Sequence, residues 1–322
     1  MKRRKWLWIS VGLSIFLCIA VPLACGGLGV TSLSAIPYLS GTSTTGRVWE
    51  DAVAIVRVEG VITSGRAPQW PYSGTGAAYS ESIIERVHRA EGDPSVKAIV
   101  LRVNSPGGGV VASDELYRAL LETEKPIVVS MGDVAASGGY YISCAADRIV
   151  ANRATLTGSI GVIAMAPNFE ELLDKIGIEM LVIKSGPLKD ELSPYREPTK
   201  EEIQLWQGIV DEAYEQFVGI VAEGRSLSLE DAMELADGRV YTGQQAWELD
   251  LVDELGGLPE AIDQAADLGG IEGEPGIIEY DRAPTLIEAL LSSLIRPSPP
   301  ISLDDFMGIE RRFTVQYLYV SP

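Results

Sequence analysis

Val96-Lys97-Ala98-Ile99-Val100-Leu101-Arg102-Val103 is an almost continuous apolar run, rich in β-branched residues. Such a run fits a strand buried on both faces, which requires a parallel sheet covered by helices on either side. The rest of the body agrees with that constraint. Strands are predicted at Ala52–Val58, Pro126–Ser130, Asp147–Ala151 and Glu179–Lys184 from their apolar and β-branched content. Helices are predicted at Ser80–Arg89, Ser113–Glu122, Phe169–Ile176, Thr199–Glu223, Thr242–Leu249 and Pro259–Leu268. Thr199 with Glu202 forms a capping-box pattern at the start of the longest helix. Strands alternating with helices imply parallel βαβ units and an α/β fold. No repeat of 20–50 residues is visible in the chain.

The N-terminus reads differently. Residues 6–46 carry no charge, and Trp6 to Val30 is almost unbroken in its apolar character. A helix of about 20 such residues spans a bilayer core. Lys2, Arg3, Arg4 and Lys5 precede it, with no bases close behind. By the positive-inside rule the N-terminus is cytoplasmic and the body extracytoplasmic, on a single-pass helix in the cell membrane. A cleaved leader and a lipoprotein with a modified Cys25 are the rivals; the apolar run is long for the first, and Pro22 is a poor fit to the second. The domain reading is an anchor at 1–30, a Ser/Thr/Gly-rich flexible stalk at 31–50, a folded α/β body at 51–270 and a C-terminal extension at 271–322. Within that extension Thr285–Ile295 is apolar but too short to span, and Thr314–Val320 resembles a strand. Packing on the body or on a neighbouring subunit, or lying on a membrane surface, are its two readings.

Composition removes several function classes. With 26 Lys+Arg against 45 Asp+Glu, the chain has a formal charge of −19. A body this acidic lacks the clustered cations that sequence-independent nucleic-acid binding needs. A single histidine, His88, argues against His-rich metal sites and a Ser-His-Asp triad. His88 falls among charged residues in a predicted helix and reads as a surface group. The three cysteines (Cys18, Cys25, Cys144) have neither zinc-site nor disulfide spacing.

Three places carry possible chemistry. Ser137 sits in Ala135-Ala136-Ser137-Gly138-Gly139, between a strand and a helix. Small neighbours permit a tight turn, and a serine at a helix N-terminus faces N–H groups able to bind an oxyanion. The plain alternative is an N-cap serine with glycines for packing. Pro106-Gly107-Gly108-Gly109 follows the buried strand, where a loop at the carboxyl end of a parallel sheet exposes N–H groups. It supplies a second oxyanion donor or is a simple turn; no Gly-Lys-Ser/Thr follows, so it is not a Walker loop. Lys189, in Ser185-Gly186-Pro187-Leu188-Lys189-Asp190, is a candidate base. A lysine acting as base near neutral pH must be shifted from about 10.4 to about 7, roughly 4–5 kcal/mol, which desolvation can supply. The alternative is a solvated lysine paired with Asp190.

Five segments, taken together and in order, resemble the short form of the signal peptide peptidase A family. They are Asn104–Gly109; Met131–Tyr141; Leu156-Thr157-Gly158-Ser159-Ile160-Gly161-Val162; Lys184-Ser185-Gly186 with Lys189-Asp190, Ser193-Pro194 and Arg196; and Ala236-Asp237-Gly238-Arg239-Val240-Tyr241 with Gly243. The likeness covers about residues 51–268. It implies a membrane serine endopeptidase with a Ser/Lys dyad, on a Clp protease/crotonase-like spiral of ββα units. Ser137 would be the nucleophile, Lys189 the general base, Gly108 and Gly138 the oxyanion hole, and Ser159 the residue holding the lysine. It further implies a homo-oligomer whose dyad is shared between subunits, with remnant signal peptides as substrate and no metal, nucleotide or other cofactor. A crotonase-type acyl-CoA enzyme or a non-catalytic membrane scaffold on the same fold are the competing classes.

Overall fold

The computed structural model describes residues 51–67, 76–280 and the strand at 316–318. The expected anchor at 1–30, the stalk and the apolar segment Thr285–Ile295 lie outside the described residues. Among the described residues no helix is long and apolar enough to cross a membrane.

In chain order the elements are β1 (Ala52–Glu59), β2 (Val61–Thr63), β3 (Ala77–Tyr79), α1 (Ser80–Gly92), β4 (Val96–Ser105), β5 (Gly107–Gly109) and α2 (Val110–Leu121). There follow β6 (Ile127–Ala136), α3 (Gly138–Ser143), β7 (Arg148–Ala151), β8 (Leu156–Gly158), α4 (Glu170–Ile176), α5 (Lys200–Gly224) and α6 (Leu229–Leu235). The last are β9 (Val240–Thr242), α7 (Gly243–Glu248), β10 (Glu254–Leu255), α8 (Leu258–Leu268), β11 (Gly276–Glu279) and β12 (Gln316–Leu318).

The main sheet runs β10-β7-β6-β4-β1-β11, with all of these pairings parallel. Side chains of a strand alternate between faces, and here that alternation divides the apolar material into two cores. Val53, Ile55, Ala98, Val100, Val128 and Val150 pack against α8 through Ala261, Ala265 and Ala266. Ala54, Val56, Ile99, Leu101, Val103, Val129 and Met131 face the other way, against α1, α2, α3 and α5. Both faces are therefore covered, as the apolar run in β4 requires. The sheet continues beyond residue 270, because Gly276–Glu279 pairs in parallel with β1.

Two smaller assemblies leave the carboxyl end of this sheet. β8 pairs in parallel with the far end of β6 and antiparallel with β9. A four-stranded sheet, β12-β5-β2-β3, carries the glycine loop. The mixed architecture, with its central parallel sheet, fits a Clp-protease-like fold.

Helix boundaries follow local chemistry. α5 begins where the Thr199 hydroxyl accepts the Glu202 N–H, while the Glu202 carboxylate accepts the Thr199 N–H: the capping box expected there. α7 opens with the same arrangement between Thr242 and Gln245. One expectation is overturned. Glu179–Lys184 is β-branched and apolar, but it forms no strand; Leu181 is 87% exposed and Ile183 91%. A strand needs a neighbour to accept its N–H and C=O groups, and the chain offers this segment none among the described residues. The expected start of α2 was also late, since the helix begins at Val110 rather than Ser113.

Candidate active site

β4 and β6 are adjacent, and their carboxyl ends meet with Ser105 opposite Ala135. The glycine loop leaves one strand and Ser137 leaves the other, so topology alone brings them to the edge where α/β sheets bind ligands.

Ser137 occupies a sharp strand-to-helix corner. Its backbone is at φ 54° and ψ −118°, unfavourable for a residue with a side chain. The corner is held on both sides. The Ser137 N–H donates to the Gly158 carbonyl at 2.8 Å, and the Tyr141 N–H donates to the Ser137 carbonyl at 2.8 Å. Tyr140 and Tyr141 anchor the short helix behind it. The Tyr140 hydroxyl donates to the Leu251 carbonyl at 2.9 Å, and the Tyr141 hydroxyl donates to Asp114 at 2.8 Å. The Ser137 side chain itself is 1% exposed, and its hydroxyl has no hydrogen-bond partner among the described residues. A buried, unpaired hydroxyl on strained backbone is destabilising by itself, and such strain clusters at functional sites.

The glycines are dictated by close approach. A Cβ on Gly108 would lie 1.9 Å from the Ile62 carbonyl oxygen. One on Gly138 would lie 2.6 Å from Ser113 Oγ and 3.1 Å from the Gly108 nitrogen. One on Gly139 would lie 2.9 Å from the Ser105 carbonyl oxygen. The loop is shaped from within by Ser105, whose hydroxyl accepts the Gly107 N–H at 3.1 Å. Gly107 itself is at φ 100°, open to glycine alone without strain. Gly138 is the first residue of α3, so its N–H has no partner inside the helix. The structure thus brings Ser137, Gly108 and Gly138 together.

Ser159 follows Gly158, the residue whose carbonyl holds the Ser137 N–H. It is 8% exposed, at φ 49°, with its N–H on the Arg239 carbonyl at 2.8 Å. β8 and β9 therefore lash two of the sequence motifs to the serine corner.

Lys189 lies elsewhere in character: exposed, on the loop between α4 and α5. The expected alternative, a Lys189–Asp190 pair, is not what forms. Asp190 instead accepts from Lys184 at 2.7 Å and from Arg196 at 2.7 Å, and Arg196 also grips the buried Glu202. Arg196, with Lys184 second, holds the Asp190 carboxyl well below the usual range; Arg196, with the Thr199 N–H second, holds Glu202 down to about 2. Adjacent residues of this tight loop thus part company, with Asp190 tied down and Lys189 presented outward. In the sequence before it, Leu172, Ile176, Met180, Leu181 and Ile183 are exposed.

His88 is exposed, as its charged neighbours suggest. Cys144 is buried, and burial pushes its thiol up to about 12, which leaves little thiolate for nucleophilic work. The backbone of β12 runs antiparallel along the glycine loop, with Tyr317 opposite Gly108. Sequence reasoning passed over Ser113, a buried hydroxyl at the same place, because it stands at the expected start of a helix, where serine is an ordinary cap.

Fold, corner and comparisons together define a class, the serine peptidases. Residues 119–272 match the description of Peptidase family S49. The chain is 42% identical over 231 residues to a putative protease of Synechocystis sp., covering 71% of this chain and 78% of that one. It is 36% identical over 284 residues to a putative signal peptide peptidase SppA of Enterococcus faecium, covering 82% and 80%. Protease 4 of Haemophilus influenzae is 36% identical over 293 residues, covering 83% of this chain and 46% of that protein. The chain belongs to peptidase family S49, among the peptidases of the SppA group.

Proposed function

We propose that the protein is a Ser/Lys endopeptidase that degrades remnant signal peptides at the membrane, with Ser137 as nucleophile and Lys189 as general base. The observation that carries this reading is the buried, unpaired Ser137 hydroxyl on a strained corner beside the Gly108 and Gly138 N–H groups.

In the proposed reaction an uncharged Lys189 amine takes the hydroxyl proton as Ser137 Oγ attacks the scissile carbonyl. Negative charge collects on the carbonyl oxygen, which accepts hydrogen bonds from Gly108 and Gly138. The lysine returns the proton to the leaving amine, and water then releases the acyl group by the reverse sequence. Ser159 would hold the amine toward Ser137. Because Lys189 stands on an exposed loop and Ser137 is buried, the base would come from a neighbouring subunit. The bare apolar run around Leu181 and Ile183 supports such a neighbour, which would also give Glu179–Lys184 the strand partner that it lacks. The N-terminal segment would anchor the chain, with the body outside the cytoplasm. The name of the Enterococcus relative supports the substrate class. β12 along the glycine loop shows that this sheet edge accepts an extended backbone, the mode expected for a peptide substrate.

The reading is tested with a chromogenic peptide and the purified full-length enzyme. Ser137→Ala and Lys189→Ala should each lower turnover by about 10³-fold or more while leaving assembly intact. Substantial turnover in either variant would refute the dyad.

A further inference from the structure

Ser113 lies in the first turns of α2 and is fully buried, yet its hydroxyl has no hydrogen-bond partner among the described residues. A hydroxyl within a helix ordinarily escapes this by donating to the carbonyl four residues back. Ser143, the last residue of α3, does so to Gly139 at 2.7 Å, and Thr123, just past the end of α2, does the same to Ala119 at 3.1 Å. Ser113 does not. Alanine would occupy the same space without an unpaired polar atom, so the hydroxyl calls for an acceptor that the described residues do not supply.

The location says what that acceptor is. The position a Cβ would take on Gly138 lies 2.6 Å from Ser113 Oγ, 3.1 Å from the Gly108 nitrogen and 3.2 Å from Gly107 Cα. The Ser113 hydroxyl and the Gly108 nitrogen are therefore packed close against Gly138, whose own amide belongs to the same corner. Ser137 directly precedes Gly138, and its hydroxyl is likewise buried and unpaired among the described residues. Hydrogen-bonding groups are thus gathered around Gly138, and none of these groups carries a charge.

We propose that Ser113 is a third hydrogen-bond donor to the oxyanion, an inference that rests on Ser137 being the nucleophile. As the Oγ–C bond forms, the Ser137 proton passes to the lysine amine and the carbonyl π pair moves onto oxygen. That oxygen then accepts from Gly108 N–H, Gly138 N–H and Ser113 O–H. When the tetrahedral centre collapses, the C–N bond breaks, the proton goes to the departing amine and the carbonyl re-forms. The Ser113 hydroxyl gains its acceptor as charge develops, so its contribution falls on the transition state rather than on substrate binding.

The test uses Ser113→Ala and Ser113→Cys in the full-length enzyme, with Ser137→Ala as reference. Three quantities are read: kcat and KM on a fluorogenic peptide, affinity for a peptide aldehyde against that for the matching peptide alcohol, and the melting temperature. Ser113→Ala should lower kcat on the order of 10²-fold with KM within about twofold. Aldehyde affinity should fall by a similar factor, alcohol affinity should hold, and the melting temperature should stay or rise. Ser113→Cys, a weaker donor, should fall between the two. Wild-type kcat and aldehyde affinity in Ser113→Ala would overturn the proposal. So would a loss of kcat that comes with a lower melting temperature and equal weakening of both inhibitors, which marks packing. If Ser137→Ala is inactive and Ser113→Ala is not impaired, this inference alone fails; an active Ser137→Ala removes the underlying reading as well.

Discussion

Gly108 shows how far a single missing side chain reaches. Its hypothetical Cβ falls 1.9 Å from a backbone oxygen in β2, which cannot step aside as a side chain can. Gly108→Ala must therefore displace the loop from β2 or move both together. We expect it to destabilise the fold by about 1–3 kcal/mol in denaturant unfolding and to cost turnover by a larger factor than stability alone explains. Wild-type turnover in a folded Gly108→Ala enzyme would mean that the Gly108 N–H is not a donor in the reaction. Residues of this kind were legible in the sequence because their types are restrictive: glycines at a strand end and a serine between alanines and glycines. Ser113 was not legible, since a serine at an expected helix start is unremarkable until its surroundings are known. Nor could adjacency in sequence reveal that Asp190 turns to Lys184 and Arg196 instead of Lys189.

Among the elements, the loop from Lys184 to the head of α5 carries the most consequence. Its shape rests on Arg196, which bridges Asp190 to the buried Glu202 at the capping box. Both carboxyls have pKa values below their ordinary range, Glu202 at about 2. A carboxyl depressed by folding contributes stability above its unfolded pKa and loses it as pH falls through the folded one. The loop should therefore hold its shape at pH 5 and above, and loosen progressively as pH drops from about 4 toward 2. Hydrogen exchange over residues 184–202 checks this, corrected for the intrinsic pH dependence of exchange. Protection unchanged down to pH 2 would contradict it. Arg196→Met should abolish the protection at neutral pH. The long elements here were readable from periodicity and caps. The failure at Glu179–Lys184 is physical in origin: β-branched residues report what a segment would do beside another strand, and nothing local reports whether one is present.

At the scale of the whole molecule, two surfaces remain to be accounted for. The backbone of β12 occupies the free edge of β5, which is where an extended substrate would pair. A chain ending at Tyr280 should consequently bind peptide more tightly, with KM reduced several-fold and kcat little changed; an unaltered KM would place substrates on a different edge. The α/β class was readable from strand and helix alternation. Of the second sheet only β12 was legible, inside the strand expected at Thr314–Val320; β2, β3 and β5, three residues each, are too short to carry a pattern.

The second surface is the flank of the chain that bears the exposed Leu181, Ile183 and Lys189. Mixing Ser137→Ala with Lys189→Ala subunits tests the meaning of that flank directly. If each site takes serine from one subunit and lysine from the next, random co-assembly of these two inactive proteins should restore about a quarter of the sites. Turnover per site near that fraction, after exchange confirmed by mass, is the predicted result. Silence from a thoroughly mixed assembly would contradict a base supplied across the interface.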